Sequence, residues 1–217
     1  MLIKWFGECS FLLQDSLGRR IITDPPTTIP IENLLDLHPN VITLSHFCSD
    51  SLNDIINEKK IQLVNRATSY TFNFSNILGI PSFQDDIKGQ KRGPNIIYKY
   101  MFDDLKICNL GYLGHELSDN TLHSLGQIDI LFIPIGGNFT LNFVKATKLI
   151  NKLNPKIIIP MYYRTPNSLI YIDSCKNFII SMKSILKIDE YSFDTSSLDS
   201  NSFPITIILK ESKLNTQ

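Results

Sequence analysis

The first half of the chain is built from short β-favouring runs. Leu2 to Phe6, Phe11 to Gln14 and Arg20 to Thr23 are parted by Gly7 and by Ser16-Leu17-Gly18, which predicts a meander. Asp24-Pro25-Pro26 ends the third run, because proline cannot donate to a ladder and restricts the residue before it. Val41-Ile42-Thr43-Leu44 is continuously apolar apart from one threonine, the pattern of a strand covered on both faces, and it stops at Ser45-His46. Asp50 or Ser51 can cap a following helix with Leu52, Ile55 and Ile56 on one face. From Ile61 to Lys106 the alternation of Tyr70, Phe72 and Phe74, the run Ile77 to Ile80, and Asn95 to Tyr100 before a turn at Asp103-Asp104 predict a second meander.

The period then changes. Ile128 to Ile133 reads as a buried strand, Thr140 opens a helix carrying Phe143, Ala146, Ile150 and Leu153 on one face, and Lys156 to Met161 is the next strand. A helix from Asp173 is expected to hold Cys175, Phe178, Met182 and Ile185 in register, with Ile205 to Leu209 as closing strand. Strand-rich halves whose sheets each need a helical cover predict an α+β, four-layer αββα sandwich. No repeat or flexible linker interrupts residues 1–217, so one domain is expected.

Composition narrows the classes. Apolar residues at 43% and charged residues at 19% fit a folded chain with a sizeable core. Lys+Arg and Asp+Glu balance at 21 each, so any polyanion would need a local basic patch, and neither nucleic acid nor membrane is an expected partner. Cys9, Cys48, Cys108 and Cys175 contain no C-x-x-C pair, and neither a signal peptide nor a spanning stretch is seen, which predicts reduced thiols and a cytoplasmic setting.

Several segments together resemble the metallo-β-lactamase superfamily, specifically its small stand-alone zinc-dependent hydrolases. They are Ile3 to Leu13, Gly18 to Pro25, Val41 to His46, Gly89 to Ile97, Ile107 to His115, Ile133 to Thr140 and Pro155 to Thr165. The resemblance implies the αββα sandwich. It also implies a metal site built from an H-x-H-x-D-H loop, a later His, a bridging Asp and a last His, where a divalent ion lowers the pKa of a bound water.

At those places this chain reads His46, Cys48, Asp50, Ser51, Gln84, Tyr112 and Tyr162, with Glu8 where the first-strand motif commonly has His. Ser, Gln and Tyr are poor ligands for a divalent ion. The implied function is therefore a catalytically impaired pseudo-hydrolase that binds a small molecule or a protein partner. No resident cofactor is expected, and zinc at most at low occupancy. The alternative is a hydrolase of an ester, amide or phosphoester with one metal at His46, Cys48 and Asp50. A metal-free thiol mechanism with Cys48 as nucleophile and His46 as base lacks an identifiable oxyanion hole, and a structural subunit of a larger assembly would show an exposed apolar patch.

His46, Asp50, Gln84, Tyr112 and Tyr162 are expected to converge on one edge, with Glu8, Arg92 and Asn138 around the pocket. Gly136-Gly137-Asn138 could be an anion-binding turn, but is expected to be a tight entry to a helix capped by Asn138 or Thr140. Lys91 and Arg92 are expected to be a solvated basic loop, and His115 and His123 surface or supporting groups.

Overall fold

A computed structural model of the chain describes residues 1–46, 56 and 59–212. Two mixed sheets face each other. The first contains β1 (Leu2–Trp5), β2 (Phe11–Gln14), β3 (Arg20–Thr23), β4 (Val41–Thr43), β5 (Gln62–Val64) and, from near the other end of the chain, β13 (Ser192–Asp194). Its order is β13-β1-β2-β3-β4-β5. The strands from β13 to β3 pair antiparallel, whereas β3, β4 and β5 are parallel. The crossover from β3 to β4 carries α1 (Ile31–Leu35).

Alternation sorts the side chains of this sheet. Ile3, Trp5, Phe11, Leu13, Ile21 and Val41 point into the core between the sheets. Leu12, Ile22 and Ile42 point outwards, where Leu34, Leu35 and Ile56 cover them. Both faces are apolar, so the strands read as continuous hydrophobic runs.

The second sheet has the order β12-β14-β11-β10-β9-β8-β7-β6. β6 (Ser69–Thr71), β7 (Ser75–Phe83), β8 (Pro94–Phe102) and β9 (Leu105–Asn109) form the second meander. The turn between β8 and β9 has Asp103 and Asp104 at φ 54° and 60°, the two left-handed positions that match strand twist in a tight hairpin. β9, β10 (Ile130–Pro134), β11 (Ile157–Met161), β14 (Ile205–Leu209) and β12 (Ile185–Ile188) are parallel. Their connections hold α2 (Asp119–Leu125), α3 (Phe143–Leu153) and α4 (Lys176–Ser181). Phe11 from one sheet and Phe132 from the other meet with ring centroids 4.2 Å apart.

Two expectations are corrected. The helix after Gly136-Gly137 is capped by neither Asn138 nor Thr140: Asn142 is the cap, its side chain accepting from the Lys145 N–H at 2.9 Å. The predicted Asp173 helix runs only over Lys176–Ser181. Asp173 is occupied elsewhere, donating its N–H to Gly136 and accepting at its carbonyl from the Arg164 N–H, and Ile185 belongs to an edge strand paired with β14. The helix expected after Asp50 or Ser51 lies outside the described residues, apart from Ile56. Among the described residues, no helix is long and apolar enough to cross a membrane.

Candidate functional site

Parallel strands direct their carboxyl ends to one edge, and loops at that edge are where α/β folds place ligands. Here the loops after β3, β4, β9, β10 and β11 carry Asp24, Ser45-His46, Gly111-Tyr112, Gly136-Gly137-Asn138 and Tyr162. Three of the candidate residues meet. The His46 ring packs edge-on to Tyr112 with centroids 4.4 Å apart, and Tyr112 packs edge-on to Tyr162 at 5.1 Å. Both tyrosines are buried. Tyr162 is in the left-handed region at φ 51°, held by its N–H on the Glu8 carbonyl at 3.0 Å.

The backbone around Tyr112 is clamped. Asn95 on β8 accepts from the Tyr112 N–H at 2.8 Å and donates to the Leu110 carbonyl and to Ser82 Oγ. Gly111, at φ 55°, abuts Ser45: a Cβ there would lie 2.5 Å from Ser45 Cβ and 2.7 Å from Asn95 Oδ1. That close approach brings the β4 and β9 loops together and sets His46 against Tyr112.

The other candidate positions are less convergent. Gln84 borders the loop through its backbone at Gly114, but its side chain turns away to donate to the Pro94 carbonyl at 3.0 Å. Asn138 donates to the Tyr171 carbonyl at 3.1 Å. Arg92 lies over the Phe139 ring, 4.5 Å from its centroid, so its guanidinium is anchored rather than freely solvated, whereas Lys91 is exposed. Glu8 lines a small cavity with Tyr162, Tyr163 and Glu211. His115 is a brace: Nε2 accepts from the Phe83 N–H at 3.1 Å, which leaves the proton on Nδ1 to be donated to the Glu116 carbonyl at 2.8 Å. Cys48, Asp50 and Ser51 lie outside the described residues.

Burial makes the interior of this edge uncharged. It lowers the His46 pKa and raises those of Tyr112 and Tyr162. Cys9 sits beneath the tyrosines, its thiol donating to the Gly111 carbonyl, and burial raises its pKa well above the thiol range. Glu8 is raised by burial and then by the Glu211 carboxylate. The Nδ1 of His46 is buried with no hydrogen-bond partner among the described residues.

As a test of metal fit, the donors brought together are one imidazole and two phenols. Among the described residues no group of three or more His, Cys, Asp and Glu side chains is arranged to hold a metal ion. These residues do not fit a two-metal centre.

Two acidic residues escaped the sequence reading. Asp85 accepts from the N–H groups of Ile87, Gly89, Lys91 and Arg92, so it orders the whole basic loop. Desolvation would raise its pKa, but these four donors together hold it below the usual carboxylate value. Asp followed four residues later by Gly was the available signal, a turn closed by an Asx side chain.

Asp24 is fully buried and accepts from Ser45 N–H and Oγ at 2.6 and 2.8 Å. Burial dominates over those bonds and lifts its pKa from 3.8 to about 7. A raised acid contributes stability that is fully present below its ordinary pKa and is lost as pH rises to the folded value. Chelator-treated protein should therefore lose up to about 4 kcal/mol between about pH 4 and 7 from this group. Urea denaturation of Asp24→Asn across that range should lack this part of the decline, and equal pH slopes for variant and parent would refute the assignment.

Comparison with known proteins agrees with this architecture. The family profile described as Beta-lactamase superfamily domain matches residues 2–162. The UPF0173 metal-dependent hydrolase of Pyrobaculum islandicum is 25% identical over 191 residues, covering 76% of this chain and 85% of that protein. The one from Enterococcus faecalis is 28% identical over 166 residues, covering 61% and 71%. Among solved structures, a metallo-beta-lactamase superfamily protein of Thermotoga maritima superposes with a TM-score of 0.75 at 26% identity, over 97% of this chain and all of that one.

Proposed function

The chain belongs to the Beta-lactamase superfamily domain family, and from that premise we propose that it is a catalytically impaired member whose former metal edge binds a small molecule or a protein partner. The observation that carries this reading is the ring row His46, Tyr112 and Tyr162, at positions that the resemblance matches to ligands of the family. Two buried phenols, a neutral imidazole and a buried thiol can give and take hydrogen bonds. They supply neither a Lewis acid nor an activated nucleophile. Glu8 and Arg92 at the rim would set orientation, and nucleic acid is not part of this reading, because nothing in the charge balance favours it.

A second reading is favoured by the Nδ1 of His46, which is buried without a hydrogen-bond partner among the described residues. An imidazole nitrogen in that state suits a metal, and Cys48 and Asp50 would complete a three-ligand mononuclear site for hydrolysis of an ester, amide or phosphoester. Elemental analysis separates the two. Protein purified from zinc-supplemented culture is expected to hold well under one equivalent of Zn, Mn or Fe, unchanged in Cys48→Ala. Near-stoichiometric metal that disappears in Cys48→Ala would overturn the first reading and establish the second.

A further inference from the structure

Away from this edge, α3 carries a row of lysines. Lys145, Lys148 and Lys152 follow one another at i, i+3 and i+7, so they share a face and span about 10 Å along the helix. None of them enters an ion pair among the described residues. Like charges at this spacing repel, and the net charge of zero means that the row is a local concentration rather than a reflection of a basic chain. Beside the row opens a cavity of about 40 Å³ whose apolar wall is Leu117, Leu141 and Leu149. Among the described residues, Glu116 is the one carboxylate on its lining.

We propose that this pocket docks an acidic peptide segment carrying one leucine-sized anchor. Size sets the anchor. One water needs on the order of 10–15 Å³, so the cavity takes a group of about three or four heavy atoms, the end of a Leu or Ile side chain. An acyl chain is too large for it. Charge sets the flanks: three ammonium groups over about 10 Å match several carboxylates along a chain, whereas a single small anion would leave two of them unneutralised. The leucines are recessed, 7%, 1% and 6% exposed for Leu117, Leu141 and Leu149, so they receive an apolar group and cannot be pushed into a lipid layer. Among the described residues the single imidazole of His115 is the aromatic ring on the lining, so successive stacked bases find no platform. The wall is continuous with the aromatic edge, because Leu141 donates to the Leu113 carbonyl at 2.9 Å and accepts from Gly137 at 3.0 Å. The inference nevertheless stands independently of the metal-site reading.

Fluorescence polarisation of a labelled peptide Glu-Glu-Leu-Glu-Glu-Leu-Glu tests it on the full-length protein. Saturable binding is expected, weakened about tenfold or more by the double variant Lys148→Glu/Lys152→Glu and about tenfold by Ser in place of both peptide leucines. It should also fall as ionic strength is raised from about 0.01 to about 0.15 M. Both lysines are exposed, so the variant should fold, which circular dichroism checks. Absence of binding at about millimolar peptide, or equal binding by the parent and the double variant, would overturn the proposal. So would capture of the parent by phosphatidylserine vesicles, dependent on the same lysines, while the peptide stays free.

Discussion

Zinc uptake is the expected result of replacing five residues at once: Cys48→His, Ser51→His, Gln84→His, Tyr112→Asp and Tyr162→His. At Tyr112 and Tyr162 the backbone that would aim the new ligands is held independently of the side chains being changed. Asn95 clamps the 110–112 loop, Gly111 abuts Ser45, and the Tyr162 N–H is tied to Glu8. Supporting contacts of this kind are what orient metal ligands. Removing two buried phenol rings costs packing, since each ring touches the next at 4.4 and 5.1 Å. The metal-free variant should therefore be several kcal/mol less stable than its parent. Zinc at about 1,000 times its dissociation constant returns about 4 kcal/mol, because it binds only the folded state. Partial variants such as Tyr112→Asp alone should gain destabilisation without metal. The readouts are zinc per chain by elemental analysis and the zinc-dependent rise in melting temperature. A variant that is folded by circular dichroism yet takes up no zinc at about micromolar free metal would mean that these positions do not share one site, and would sink the descent of this edge from a metal centre.

The second large effect is steric. Gly136 passes so close to the β11 loop that a Cβ would overlap the Tyr162 carbonyl oxygen, with Ile172 Cβ a further 3.2 Å neighbour. The obstacle is backbone, which no rotamer change can clear. Gly136→Ala is thus expected to destabilise by about 3 kcal/mol, lowering the melting midpoint by roughly 6–12 °C. It should also shift the Tyr162 ring, read as a change in near-ultraviolet circular dichroism. A midpoint within about 1 °C of the parent would contradict the close approach.

The sequence exposed some parts of this fold and hid others for identifiable reasons. β3 and β14 were legible to the residue, because their apolar runs end at a proline turn and begin after one. β13 was not: it is three residues long with one buried side chain, and it exists because it pairs with β1, nearly the whole chain away. Phe178, Met182 and Ile185 keep helical spacing while the backbone leaves the helix at Met182, which is extended, so periodicity alone misplaced the boundary. At the site, the order of motifs names His46, Tyr112 and Tyr162 as candidates, and the fold packs their rings in a row. The turning away of Gln84 could not be read, because it depends on a carbonyl at Pro94 that the amide finds only after folding. The buried acid at Asp24 was hidden likewise, since its burial is created by the β4 loop closing over it.

The pairing of β1 between β2 and β13 has a consequence for how the molecule is made. During synthesis, β1 and β2 emerge ahead of the other strands of their sheet and can form their hairpin at once. The other side of β1 finds its partner only when residues 192–194 have left the ribosome. Until then the nascent chain carries an open strand edge beside the apolar face of Ile3 and Trp5, the kind of surface that recruits foreign strands. Completion of the first sheet is thus a late and long-range event, and the second sheet closes later still, because β14, which lies between β12 and β11, follows β13 in the chain.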